Sequence, residues 1–187
     1  MGVAGEVDRP SVLIVDDEER VADTYHLQLR GHYETTVAYS GATALERIDE
    51  TTDVVLLDRQ MPDHSGDEVL EAIRDRGFDV RVVLLTAVDP DFDIVDMACD
   101  DYVVKPVGRD ELQAVVERAL KITTYNERRR ELSSTKLKRN VLEVELSPPE
   151  LAASDTYADL EARIDSLEST VDELEDDLDL EDRSRYL

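Results

Sequence analysis

The chain of 187 residues is short of several things at once. Cys99 is its only cysteine, so no disulfide can close within it and nothing ties it to an oxidising compartment. A cytoplasmic setting is expected. No apolar run is long enough to cross a bilayer, so no membrane partner is expected. Met1 to Pro10 is acidic rather than basic-then-apolar, so residues 1–10 read as an N-terminal extension and not as a leader. Positive charge is scarce: 21 Lys and Arg face 46 Asp and Glu, for a net charge of −25. Such a surface repels nucleic acid and anionic membranes as a whole.

What is present is enough for a core, since 41% of the residues are hydrophobic. Lysine occurs only as Lys105, Lys121, Lys136 and Lys138. An acidic, lysine-poor composition resembles proteins of salt-accumulating halophilic archaea. At molar salt the Debye length falls to about 3 Å and self-repulsion is screened.

Five short apolar runs stand out: Ser11 to Val15, Tyr33 to Tyr39, Val54 to Leu57, Arg81 to Leu85 and Tyr102 to Val104. Four are rich in Val, Ile and Leu, as strands buried on both faces should be. Between them Val21, Tyr25 and Leu29, then Ala44, Leu45 and Ile48, then Val69, Leu70 and Ile73 keep helical spacing. Strands alternating with helices need crossover connections. The expected fold is therefore α/β, a doubly wound five-stranded parallel sheet over residues 11–121.

Functional groups of such sheets collect at the carboxyl ends of the strands. There the sequence places Asp16 and Asp17 after the first strand, Asp58 at the end of the third, Thr86 and Ala87 at the fourth, and Lys105 and Pro106 after the fifth. Three carboxylates packed together repel unless a cation of high charge density offsets them, and oxygen ligands of this kind suit Mg²⁺. A carboxylate beside such an ion can attack phosphorus and form an acyl phosphate, which makes Asp58 the candidate nucleophile. Lys105 would supply a point charge for one phosphate oxygen and the Thr86 hydroxyl a hydrogen bond for another. His26, His32 and His64 lack the spacing of a metal site.

The segments VLIVDDE (Val12 to Glu18), VVLLDRQMPDHSG (Val54 to Gly66), VVLLTA (Val82 to Ala87) and DYVVKP (Asp101 to Pro106) resemble the response-regulator receiver family, in order, over about 110 residues. The resemblance implies a flavodoxin-like receiver in a two-component system, with Asp58 as phosphoacceptor. It implies Mg²⁺ bound directly by Asp17, Asp58 and the backbone carbonyl of Gln60, with Asp16 assisting through water. It pairs Thr86 with Tyr102 as switch residues and makes the bond before Pro106 cis. The implied donor is a histidine kinase or a phosphotransfer protein. Arg59 and Gln60 after the acceptor, and Val88 two residues past Thr86, occupy positions that tune phosphate lifetime in the family. A nonpolar Val88 offers nothing to position water, so self-dephosphorylation should be slow.

From Ile122 onward the strand signal ends and a second module, residues 122–187, is expected to be all helical. Ser147, Pro148, Pro149 and Glu150 combine capping-box spacing with proline at the first helical position, predicting one helix from there almost to the C-terminus. Tyr157, Leu160, Ile164, Leu167, Val171, Leu174 and Leu178 alternate steps of three and four, as a coiled-coil seam would. Glu127 to Arg139 holds six basic and two acidic residues, net +4, whereas Ser154 to Asp182 holds thirteen acidic residues and one basic, net −12. The two segments predict a hairpin folded on itself. A parallel homodimer through the seam is the alternative, opposed by the acidic row Glu161, Glu168, Glu175 and Asp182. Acidic, helical and placed behind a receiver, the module resembles the HalX domain of halophilic archaea.

The leading reading is a two-component response regulator, not an enzyme beyond Mg²⁺-dependent self-phosphorylation. Its helical module would contact an effector protein or a second copy. A DNA-binding transcriptional regulator using Arg128 to Arg139 is the second reading; the overall charge does not support it, and no helix-turn-helix pattern accompanies that stretch. An aspartate-nucleophile phosphohydrolase is a third. Such enzymes typically carry a second aspartate two residues past the nucleophile, where this chain has Gln60.

Overall fold

A computed structural model of the chain describes residues 9–87 and 97–185, with side chains described as far as Asp179. Most of the N-terminal extension, Val88 and Asp182 thus lie outside the described residues or side chains. The chain divides into two compact units, Met1–Leu120 and Lys121–Leu187.

In the first unit the five apolar runs form β1 (Ser11–Val15), β2 (Glu34–Ala38), β3 (Val54–Asp58), β4 (Arg81–Thr86) and β5 (Asp101–Val104). They make one sheet in the order β2-β1-β3-β4-β5, with every pairing parallel. Alternation across the pleat sends successive side chains to opposite faces. Val12, Ile14, Leu56, Val83 and Leu85 pack with Ala22, Tyr25 and Leu29 of α1 (Glu19–Leu29) and with Leu112, Val115, Val116 and Ala119. Leu13, Val15, Val55, Leu57, Val82 and Leu84 pack on the other side with Ala44 of α2 (Gly41–Arg47) and Val69, Leu70 and Ile73 of α3 (Gly66–Asp75). The central strand β3 is wholly buried, as its unbroken apolar run requires. β2 is an edge strand with Glu34 and Thr36 exposed.

Local chemistry sets the helix ends. Ser65 and Glu68 close a capping box at the start of α3, and Gly77 follows its end with a φ of +76°, a conformation that glycine takes at no steric cost. No described helix is long and apolar enough to cross a membrane.

The helical region differs from expectation at one point. α4 runs without interruption over Arg109–Glu145, a span that contains neither glycine nor proline to end it. The predicted helix from Ser147 is broken. α5 (Pro148–Ala152) stops after five residues, and α6 (Asp155–Arg185) starts afresh because Ser154 accepts the Tyr157 N–H at 3.2 Å as a second cap.

Within the second unit α6 pairs with α4 as a hairpin. Lys136 Nζ lies 2.6 Å from Glu168, Arg139 Nε 3.8 Å from Glu161, Arg163 meets Glu131, and the Tyr157 hydroxyl donates to Glu143 at 3.0 Å. Ile164, Leu167 and Val171 are buried, and Tyr157, Leu160, Leu174 and Leu178 half-buried, so the expected seam faces inward. Thr135 is buried opposite, its hydroxyl bonded back to the Glu131 carbonyl at 2.8 Å.

Candidate functional site

Strand order alone brings the polar strand ends together. β3 lies between β1 and β4, and the chain winds outward in opposite directions from β1 and β3, so their carboxyl ends bound the crevice where such sheets bind ligands. Asp58 ends β3, Asp16 and Asp17 follow β1, Thr86 ends β4 and Lys105 follows β5.

One carboxylate oxygen from each of Asp16, Asp17 and Asp58 lies within 4.8 Å of the others. Asp16 is 1% and Asp58 5% exposed. The Lys105 ammonium bridges two of them, 2.7 Å from Asp16 Oδ2 and 3.0 Å from Asp58 Oδ1. The other Asp16 oxygen accepts the Glu18 N–H at 2.9 Å, and the Gln60 backbone N–H donates to Asp58.

Burial pushes the Asp58 carboxyl above the ordinary range, and the neighbouring Asp16 charge adds to it; the hydrogen bond and charge of Lys105 offset this only in part. Burial pulls the Lys105 ammonium down, but its bonds to Asp16 and Asp58 prevail and its pKa is raised. Both partners of this ion pair thus shift upward, Asp58 through burial and Lys105 through the two carboxylates that hold it. Three carboxylates and one ammonium leave two negative charges uncompensated, and oxygen donors this close suit a divalent cation such as Mg²⁺. The residues fit that ion.

Thr86 is fully buried, and its carbonyl accepts the Lys105 N–H at 2.6 Å. Ala87 is exposed just past the strand, and Tyr102 is half-buried on β5. The bond between Lys105 and Pro106 is cis. The site therefore gathers Asp16, Asp17, Asp58 and Lys105, with Thr86 joined through its backbone.

Two supports were not read from the sequence. A Cβ on Gly66 would lie 2.4 Å from the Asp58 carbonyl oxygen and 2.7 Å from the Arg59 Cα, so only glycine lets α3 start this close beneath the acceptor. The Ser65 to Glu68 spacing marks that helix start and could have drawn attention to it. Arg59 forks onto Asp67, with Nε 3.2 Å from Oδ1 and Nη2 3.3 Å from Oδ2. Seven residues of loop and helix separate that pair, a spacing with no sequence signature.

A family model described as the response regulator receiver domain matches residues 12–117, and one described as the HalX domain matches residues 121–186. A Haloferax volcanii protein described as a "Putative transcriptional regulator" is 45% identical over 160 residues, covering 83% of this chain and 27% of its own length. Sensory transduction protein RegX3 of Mycobacterium tuberculosis is 40% identical over 116 residues, covering 59% of this chain and 51% of its own. The chain thus spans about a quarter of the first relative and about half of the second. Among solved structures, response regulator protein TrrA of Thermotoga maritima, in complex with Mg²⁺ and BeF, is 35% identical with a TM-score of 0.53, covering 59% of this chain and 99% of that one.

Proposed function

Because the chain belongs to the response-regulator receiver family and carries a HalX domain behind the receiver, we propose that Asp58 accepts a phosphoryl group in the cytoplasm from a histidine kinase or phosphotransfer protein. The observation that carries this is the buried Asp58 carboxylate, ion-paired to Lys105 and clustered with Asp16 and Asp17. An Asp58 oxygen attacks phosphorus of the phosphohistidine; the new P–O bond forms as the P–N bond breaks, and the electron pair leaves on the imidazole nitrogen.

Asp16, Asp17, Asp58 and the Gln60 carbonyl would hold Mg²⁺, with Asp16 acting through water. That ion supplies charge neutralisation for the incoming phosphoryl oxygens. Lys105 then exchanges its bond to Asp58 for one to a phosphate oxygen, and the Thr86 hydroxyl takes another, next to the Ala87 backbone. Tyr102 on β5 follows the movement of Thr86 on the adjoining β4.

The chain is a two-component response regulator, a signalling protein, and we take its output to be a protein contact through the helical unit. The word transcriptional in the Haloferax relative's description favours a second reading, DNA binding by residues 128–139. Against it, Arg128 pairs with Glu131, Lys136 with Glu168, and Arg139 with Glu143 and Glu161, so half of the basic residues there already face carboxylates.

Incubation with Mg²⁺ and acetyl phosphate, read by intact-protein mass, tests the acceptor. Wild type gains one phosphoryl group and Asp58→Asn gains none; labelling that survives the substitution overturns the assignment. Salt-steep DNA affinity lost on neutralising Arg128 to Arg130 would move the output to DNA.

A further inference from the structure

The α6 seam that could have joined two chains is covered within its own hairpin, yet another apolar row is left bare. Leu137, Val141 and Val144 on α4 are 65%, 55% and 83% exposed. Steps of four and three put them on one face of the helix, opposite buried Thr135, which lies on the hairpin side. We propose that this row is a homodimer contact, with α4 of a second copy of the chain packed antiparallel against it.

Charge selects both the partner and its direction. In a chain of net charge −25, the row adjoins the segment 127–139, whose six basic and two acidic residues make it net positive. That is where two copies repel least. Lys138 and Glu145 flank the row on one side; both are exposed, and neither forms an ion pair among the described residues. Lys138 lies three residues before Val141 and Glu145 four after it. A two-fold axis beside Val141 therefore sets Lys138 of each copy opposite Glu145 of the other, with Leu137 near the other copy's Val144. An in-register parallel pair would instead carry the two copies' Lys138 and Glu145 to opposite sides of the row, where neither cross-pair can form.

Three apolar side chains per copy cover far less than the roughly 800 Å² a side of a stable interface, so the dimer is weak and concentration-dependent.

Sedimentation of the full chain over a concentration series in KCl tests it. The expected result is a monomer–dimer equilibrium that Val141→Glu weakens about tenfold or more. At moderate salt Lys138→Glu alone and Glu145→Lys alone each weaken it severalfold, and the double exchange restores it. All three positions are exposed, and an unchanged helical circular dichroism spectrum confirms the fold of each variant. A chain that stays monomeric at every concentration leaves the row to some other protein and overturns the proposal. So does a dimer indifferent to Val141→Glu, or single exchanges that the double exchange fails to rescue.

Discussion

The Lys105 ammonium lies 3.0 Å from Asp58 Oδ1 although β4 stands between the strands that carry the two residues. The same ammonium holds Asp16 at 2.7 Å, so the acceptor shares its cation with a buried carboxylate; burial raises the Asp58 pKa and the Asp16 charge adds to it.

That shift has a sign that can be measured. The folded pKa of Asp58 lies above the ordinary 3.8, so the folded chain keeps this proton to higher pH than the unfolded chain does. Ionising Asp58 therefore costs stability, fully above the folded pKa and not at all below the unfolded one. In Mg²⁺-free buffer at neutral pH, Asp58→Asn should melt higher than wild type, and the gap should close on acidification. Mg²⁺ should raise the midpoint of wild type and not of the variant. Equal midpoints across pH would show that the carboxylate is already compensated.

Gly66→Ala should cost about 1–3 kcal/mol in urea unfolding, because its Cβ has only the Asp58 and Arg59 backbone to displace. The same displacement should slow labelling by acetyl phosphate. Wild-type stability and rate together would mean that α3 shifts without strain.

Asp100, just before β5, ties α3 to β4. Its carboxylate pairs with Arg74 at 2.7 Å and Arg81 at 2.6 Å and accepts the Val82 N–H at 2.8 Å. Asp100→Ala leaves two largely buried guanidinium groups and a backbone donor without it, and should lose about 3 kcal/mol in urea unfolding. A loss under about 1 kcal/mol would show that water replaces the carboxylate.

Phosphorylated wild type should keep its label for minutes or longer after the phosphodonor is removed, since Val88 offers no group to orient water. Val88 lies outside the described residues, so this rests on residue type alone. Decay within seconds, followed by intact mass, would defeat it.

The parallel sheet was legible in the chain because period and composition encode which faces are apolar: the run at Val54 to Leu57 has the composition of a strand buried on both sides, and β3 is one. The ordered DDE, LLD, LLTA and VVKP segments likewise marked the site, since parallel strands deliver their carboxyl ends to one edge. The complementary charges of residues 127–139 and 154–182 anticipated the hairpin, now seen in the pairs Lys136 with Glu168 and Arg163 with Glu131. Tertiary structure decided what covers each face. The seam at Ile164, Leu167 and Val171 reads equally well for a hairpin or a dimer, because heptad spacing names an apolar stripe and not its partner. The close approach of Gly66 to Asp58, the fork of Arg59 on Asp67 and the bareness of Leu137, Val141 and Val144 follow from packing distances. Local spacing carries no information about those distances.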